Sequence, residues 1–149
     1  MTSFSHCVTC HVLAPAATAF AYLADPIKLG RWSLGCFDTG PADAAGLYTG
    51  LSLFDGGRGW YSIRTEPALR SIDYLVGTPG RLTHRISARI LDASTLNYPS
   101  DTCLASLTAW RPADMPDDRW RRLCASHEAE IWLIKAQIEM EFASAASRG

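Results

Sequence analysis

The stretch RWRRLCASHEAEIWLIKAQIEMEF at residues 119–142 contains neither proline nor glycine, and it follows Pro112, Pro116 and a group of aspartates. Aspartate favours the first turn of a helix because its charge complements the helix dipole. Apolar side chains recur every three or four residues along the stretch, which predicts a long amphipathic helix with one apolar stripe. The members of that stripe are Trp120, Leu123, Cys124, His127, Ile131, Ile134, Ile138 and Phe142.

Upstream of this helix, short runs of alternating apolar and polar residues are separated by glycine and proline. Alternation with a period of two is typical of β-strands, and the Gly56-Gly57 pair supplies the positive φ angles of a tight hairpin. The regular spacing of the runs predicts an antiparallel meander. The predicted strands cover residues 7–13, 47–55, 60–66, 69–76, 82–92 and 102–110, and two short helices cover 16–24 and 27–31.

Together these elements predict an α+β fold, in which a curved antiparallel sheet of six to seven strands wraps around the long C-terminal helix. A chain of 149 residues is long enough for one domain with a substantial core and too short for two. We therefore expect one domain over residues 1–149, with the small and polar residues 143–149 forming a frayed tail.

The composition argues against several classes of function. The net charge is −1 at pH 7, which provides no basic surface for nucleic acid and no cationic face for a membrane. No apolar run reaches the length of about 18 residues that spans a bilayer, and residues 1–6 lack the features of a signal peptide. Because the five cysteines are odd in number, we expect free thiols in a soluble, cytoplasmic protein.

The N-terminal third carries a recognisable motif. It consists of Leu13-Ala14-Pro15-Ala16-Ala17, then Phe20-Ala21-Tyr22-Leu23-Ala24-Asp25-Pro26, and then Trp32. Together with the order of the predicted elements, this motif resembles the START-like (SRPBCC) superfamily, in its bacterial polyketide cyclase/dehydrase-like branch. The resemblance implies a cavity between the sheet and the long helix that binds a hydrophobic or aromatic small molecule, in a domain that can form a homodimer. It implies no particular reaction.

The run Cys7-Val8-Thr9-Cys10-His11 matches the attachment pattern of c-type haem. On a strand, however, residues three apart point to opposite faces, so that Cys7 and Cys10 could not grip one haem or one zinc ion. The glycine-rich residues 56–59 lack the lysine and the strand-to-helix context of a phosphate-binding loop. We therefore expect neither a metal nor a cofactor.

Two histidines are the candidate catalytic residues. His127 lies in the middle of the helical stripe, where it faces either the cavity or a closed core that satisfies its ring by hydrogen bonds. In the predicted strand 82–92, His84 shares the parity of Leu82 and Ile86, which predicts that it points inward. The imidazole of histidine ordinarily titrates near neutral pH, so two histidines on facing walls could act as general base and general acid.

Further side chains are candidates for ligand binding, and each has an alternative structural role. Tryptophans and tyrosines could stack on an aromatic ligand or fill the core. Arg64 could anchor a carboxylate or phenolate, or lie on the outer face of the sheet, because neither face of 60–66 is plainly apolar. The candidate residues are Trp32, Trp60, Tyr61, Arg64, Tyr74, Trp120, Cys124 and Ile131.

Two functions fit these patterns. The first is a cofactor-independent enzyme of the cyclase, dehydratase or lyase type, which performs acid/base chemistry on a small aromatic or polyketide-like substrate. The second is a non-catalytic binding or carrier protein for a hydrophobic small molecule. A carrier needs a mostly apolar lining, whereas a catalyst needs converging ionisable groups with shifted pKa values. The two predicted inward histidines favour the enzyme, and an interaction role through the outer sheet face ranks below both.

Overall fold

A computed structural model of the chain describes residues 3–149. The order of its elements agrees with the predicted order: one strand, two short helices, a strand meander and one long helix. The elements are β1 (Ser5–Val12), α1 (Ala16–Ala24), α2 (Pro26–Leu29), β2 (Tyr48–Leu51), β3 (Arg58–Glu66), β4 (Ser71–Thr78), β5 (Arg81–Asp92), a 3₁₀ turn (Ala93–Leu96), β6 (Cys103–Trp110) and α3 (Asp117–Ser147).

The two short helices begin and end where proline and aspartate dictate. Pro15 precedes α1, a position where its missing N–H costs nothing. Pro26 disfavours the helical conformation at Asp25, so α1 ends there. The carboxylate of Asp25 then accepts a hydrogen bond of 2.9 Å from the N–H of Ile27, which caps α2.

Six strands form one antiparallel sheet in the order β1-β6-β5-β4-β3-β2. The strands from β2 to β6 are neighbours in chain order, as a meander requires, and β1 pairs with β6 at the far side. The predicted α+β architecture, a curved open sheet against a long C-terminal helix, is therefore confirmed.

Helix α3 packs its apolar stripe against the sheet. Ile131, Ile134 and Ile138 are buried in the same core cluster as Ala105 and Leu107 of β6. The helix runs on to Ser147, so most of the predicted frayed tail is helical, as its alanine-rich composition favours. No helix within residues 3–149 combines the length and the apolar composition needed to cross a bilayer.

A close backbone approach fixes the segment between α2 and β2. A Cβ atom on Gly50 would lie 2.6 Å from the carbonyl carbon of Cys36, so only glycine permits this approach. Phe37 and Leu51 exchange backbone hydrogen bonds of 2.8 and 2.7 Å beside it. This contact holds the segment against the edge of the sheet, where it forms one wall of the cavity described below.

Candidate active site

A cavity of about 420 Å³ opens between the first half of α3, the inner faces of β3 to β5 and the loop after β2. Its lining mixes apolar side chains with an unusual number of ionisable ones. The lining residues are Ser33, Gly35, Cys36, Ser52, Phe54, Asp55, Gly57, Arg58, Gly59, Val76, Gly77, Thr78, Arg85, Ile86, Arg119, Arg122, Leu123, Ser126, His127 and Glu130.

Helix α3 contributes the buried polar groups of this cavity. His127 and Glu130 are only 2% and 3% exposed, and both line the cavity together with the buried Ser126. Residues three apart lie on the same face of a helix, so the imidazole and the carboxyl group reach the cavity side by side. Ionisable groups this deeply buried are rare unless they are paired, and in a cavity they indicate a functional site.

Glu130 carries a carboxyl group whose pKa lies near neutral pH. One of its oxygens, Oε1, accepts a hydrogen bond of 3.2 Å from the backbone N–H of Leu34. That bond favours the ionised form, but burial has the larger effect and raises the pKa of Glu130 from 4.5 to about 7. At neutral pH the group therefore populates both its acid and its base form, which suits it to proton transfer.

The imidazole of His127 is uncharged at neutral pH. Burial is the largest cause, and electrostatic interactions with His6 and Arg85 add to it, so the pKa of His127 falls from 6.5 to about 4. Its Nδ1 atom is buried and has no hydrogen-bond partner within residues 3–149. Buried polar atoms are almost always hydrogen-bonded, so this unpaired nitrogen marks His127 as a candidate for contact with a ligand or with water.

A β-bulge aims Arg85 into the cavity. In the pairing of β4 with β5, Tyr74 lies opposite Ile86 and Leu75 lies opposite His84, which leaves Arg85 as an extra residue. Arg85 and Ile86 consequently both line the cavity, although they are adjacent in sequence.

The same bulge explains why the prediction for His84 is wrong. Its side chain is 47% exposed and lies on the outer face of the sheet, with Nε2 3.1 Å from Asp73 Oδ1 and 2.8 Å from Ser87 Oγ. The prediction assumed an unbroken period of two, which the extra residue interrupts. His84 and His127 therefore do not face each other across one cavity. The contacts with Asp73 and Ser87 both use Nε2, so the three residues do not form a catalytic relay.

Four predicted ligand contacts are core residues that do not line the cavity: Trp32, Tyr61, Tyr74 and Ile131. The hydroxyl of Tyr61 donates to the carbonyl of Pro26 at 2.6 Å. The hydroxyl of Tyr74 donates to the carbonyl of Leu23 at 2.8 Å, and its ring meets that of Trp32 edge-on. The two tyrosines thus tie the sheet to α1 and α2, which agrees with the alternative that they are core residues.

The other four candidates also lie outside the cavity lining. Because Tyr61 is buried on the inner face, its neighbour Trp60 and the exposed Arg64 fall on the outer face. Trp120 and Cys124 pack in a separate small cluster near the start of α3. Of all the predicted site residues, only His127 lines the cavity.

The cavity mouth is rich in arginine. Arg119 and Arg122 project from α3, Arg58 projects from β3, and all three are exposed. The guanidinium of Arg122 lies 5.0 Å from the centre of the Phe54 ring. Asp55 is the one other acidic residue in the lining, and bonds from the Gly57 N–H and Ser52 lower the pKa of its carboxyl.

Sequence reasoning missed Glu130, Arg85 and the arginines at the mouth. A signal for Glu130 was present, because it follows His127 by three residues and interrupts the apolar stripe. No comparable signal marked Arg85. For the Cys-x-x-Cys run, the prediction of opposite faces is confirmed, since Cys7 is exposed and Cys10 is buried.

Neither a protein-family model nor a curated protein matches the sequence. Solved structures do match the fold. Similar structures include the protein XoxI from Bacillus cereus, with a TM-score of 0.68 and 8% identity over 91% of this chain and 96% of that one. A START superfamily protein from Mycobacterium smegmatis has a TM-score of 0.64 and 13% identity over 93% of this chain and 99% of that one.

The Zhui aromatase/cyclase from a Streptomyces species has a TM-score of 0.63 and 17% identity over 91% of this chain and 93% of its own. Identities this low establish the fold alone. On the arrangement of its sheet and long helix, and on these matches, the chain has a START-like fold.

Proposed function

We propose that the protein is an acid/base enzyme of the cyclase, dehydratase or lyase type, acting on a small aromatic or polyketide-like carbonyl compound. The observation that carries the proposal is Glu130, whose carboxyl lies in the cavity wall beside His127 with its pKa raised to about 7. The similarity of the fold to an aromatase/cyclase supports the reaction type.

The proposed step is proton abstraction next to a carbonyl group. The Glu130 carboxylate takes the proton from the carbon, and the electron pair of the broken C–H bond moves onto the carbonyl oxygen to give an enolate. The neutral His127 ring, in the same lining, donates a hydrogen bond to that oxygen. Glu130, now protonated, returns the proton to carbon or to a leaving hydroxyl group, which restores the carboxylate.

The alternative function is binding or carriage of a hydrophobic small molecule without chemistry. It is favoured by the uncharged state that burial imposes on His127 and, below pH 7, on Glu130. Val76, Ile86 and Leu123 add apolar surface to the same lining. The experiment below separates the two functions.

We expect the protein to accelerate the exchange of the methyl hydrogens of 3-acetylbenzoate or acetophenone in D₂O. These hydrogens lie next to a carbonyl and exchange slowly in buffer, so their loss from the ¹H NMR spectrum measures enolate formation directly. Buffer with free acetate and imidazole at the protein concentration is the control. Binding of a probe, detected by shifts in protein NMR signals, with no acceleration of exchange would contradict the enzyme and favour the carrier.

We also place the protein in a reducing compartment such as the cytoplasm. The support for this is that all five cysteines are free thiols, of which Cys10, Cys36 and Cys103 are buried.

A further inference from the structure

Arg85 points into the cavity without an anionic partner. Its Nε atom is buried and has no hydrogen-bond partner within residues 3–149, and the ion pairs in that part of the chain involve other arginines. Burial and the like charge of Arg119 lower the pKa of the Arg85 guanidinium, and Asp114 opposes them only weakly. The protein itself therefore leaves the positive charge of Arg85 uncompensated.

An uncompensated, partly buried cation lowers stability, because the protein supplies fewer hydrogen bonds than water does. Arg85 is nevertheless the extra residue of the β-bulge in β5, and this bulge turns its side chain inward. Bulges commonly re-aim a side chain next to an active site. A guanidinium in the cavity lining without an anionic partner among residues 3–149 indicates that its partner is supplied by whatever occupies the cavity.

Positive charges outnumber negative ones around the cavity mouth. Arg58, Arg119 and Arg122 line the mouth, whereas Asp55 is the only carboxylate in the lining apart from Glu130. Guanidinium groups clustered at the opening of a low-dielectric cavity attract anions and raise their local concentration. This excess of positive charge contrasts with the net charge of −1 on the whole chain.

We propose that the ligand of this cavity carries an oxyanion group, a carboxylate or a phosphate, which Arg85 binds while the carbonyl part of the ligand reaches Glu130 and His127. This inference deepens the proposed function and rests on it for the role of the carbonyl. A planar guanidinium can hold either oxyanion with two parallel N–H bonds, which lysine cannot do.

Binding of three probes to the wild-type protein tests the proposal: 3-acetylbenzoate, neutral acetophenone and phenyl phosphate, each titrated calorimetrically at fixed salt. We expect acetophenone to bind more weakly than the better of the two anions. The preferred anion then identifies the oxyanion as carboxylate or phosphate.

The variant Arg85→Gln should weaken binding of the preferred anion about 10- to 100-fold and leave acetophenone unchanged, because it removes a charge-assisted hydrogen bond. The affinity of Arg85→Lys for the anion should lie between those of the wild type and Arg85→Gln, since lysine keeps the charge but cannot form two parallel N–H bonds. The matched control is Arg89→Gln, an exposed arginine four residues further along β5, which should bind like the wild type. Thermal unfolding shows that each variant is folded, and we expect Arg85→Gln to be at least as stable as the wild type.

Equal affinities for the anionic and neutral probes, or equal weakening by Arg85→Gln and Arg89→Gln, would overturn the anionic ligand. In either case proton exchange on acetophenone would still support the proposed enzyme. Conversely, Arg85-dependent binding of an anion without any exchange would support the anionic ligand and contradict the enzyme. The two proposals can therefore fail separately.

Discussion

Glu130→Gln is expected to lower the protein-catalysed exchange of the 3-acetylbenzoate methyl hydrogens by about 10²- to 10⁴-fold, the usual contribution of a general base. Glutamine has the shape of glutamate and can still accept the hydrogen bond from the Leu34 N–H, so the fold and the cavity should persist. What the substitution removes is the carboxylate that takes the proton.

The matched control is Glu128→Gln, which makes the same change on the same helix at an exposed position outside the cavity lining. This control should exchange the probe at the wild-type rate. The pH dependence provides a second check, because the wild-type rate should rise with pH around a midpoint near 7, where the Glu130 carboxylate forms. A Glu130→Gln variant that retains the wild-type rate would show that the base is another group.

The stability of the protein should respond to pH in opposite directions when Glu130 and His127 are replaced one at a time. Folding raises the pKa of Glu130 from 4.5 to about 7 and lowers that of His127 from 6.5 to about 4. Between about pH 4.5 and 6.5 the folded protein thus holds a proton on Glu130, whereas the unfolded chain holds one on His127. Because both states bind the same number of protons there, the two contributions cancel in the wild type.

Each single variant reveals the pH dependence that the remaining group gives to the free energy of unfolding. In Glu130→Gln, the free energy of unfolding should rise by about 3 kcal/mol between pH 4 and 6.5, since folding depresses the pKa of His127 and the unfolded chain binds the extra proton. In His127→Gln, it should fall by about 3 kcal/mol between pH 4.5 and 7, since folding raises the pKa of Glu130 and the folded state binds the extra proton.

Urea unfolding of both variants between pH 4 and 8 measures how the free energy of unfolding changes with pH. The double variant is the reference, because it retains all the other titrating groups. Each single variant is compared with the double variant at every pH. Slopes of the same sign, or differences that do not change with pH, would mean that one or both groups titrate normally in the folded protein.

Local patterns in the sequence predicted most of the fold because the elements obey local rules. The absence of proline and glycine marks α3, Pro15 and Pro26 bound α1, and alternation separated by glycine turns marks the meander. These features depend on neighbours within a few residues of each other. The same locality explains the agreement of α1 with its predicted range.

The candidate site was predicted poorly because it depends on relations between strands. The bulge at Arg85 is a property of the pairing between β4 and β5, and it reverses the face of His84 without any local mark in the sequence. The positions of the aromatic residues also depend on such relations: Tyr61 and Tyr74 lie in the core, where their hydroxyl groups donate to backbone carbonyls of the neighbouring helices. His127 was identified because it shares the helical spacing of the apolar residues of α3.

The proposed chemistry depends on a cavity carboxyl group that titrates near pH 7, and the pKa of Glu130 can be measured directly. In protein labelled with ¹³C at the side-chain carboxyl of glutamate, the signal of Glu130 is identified by its loss in Glu130→Gln and followed by NMR from pH 3 to 9. We expect a midpoint close to 7. A midpoint near the ordinary value of 4.5 would contradict it.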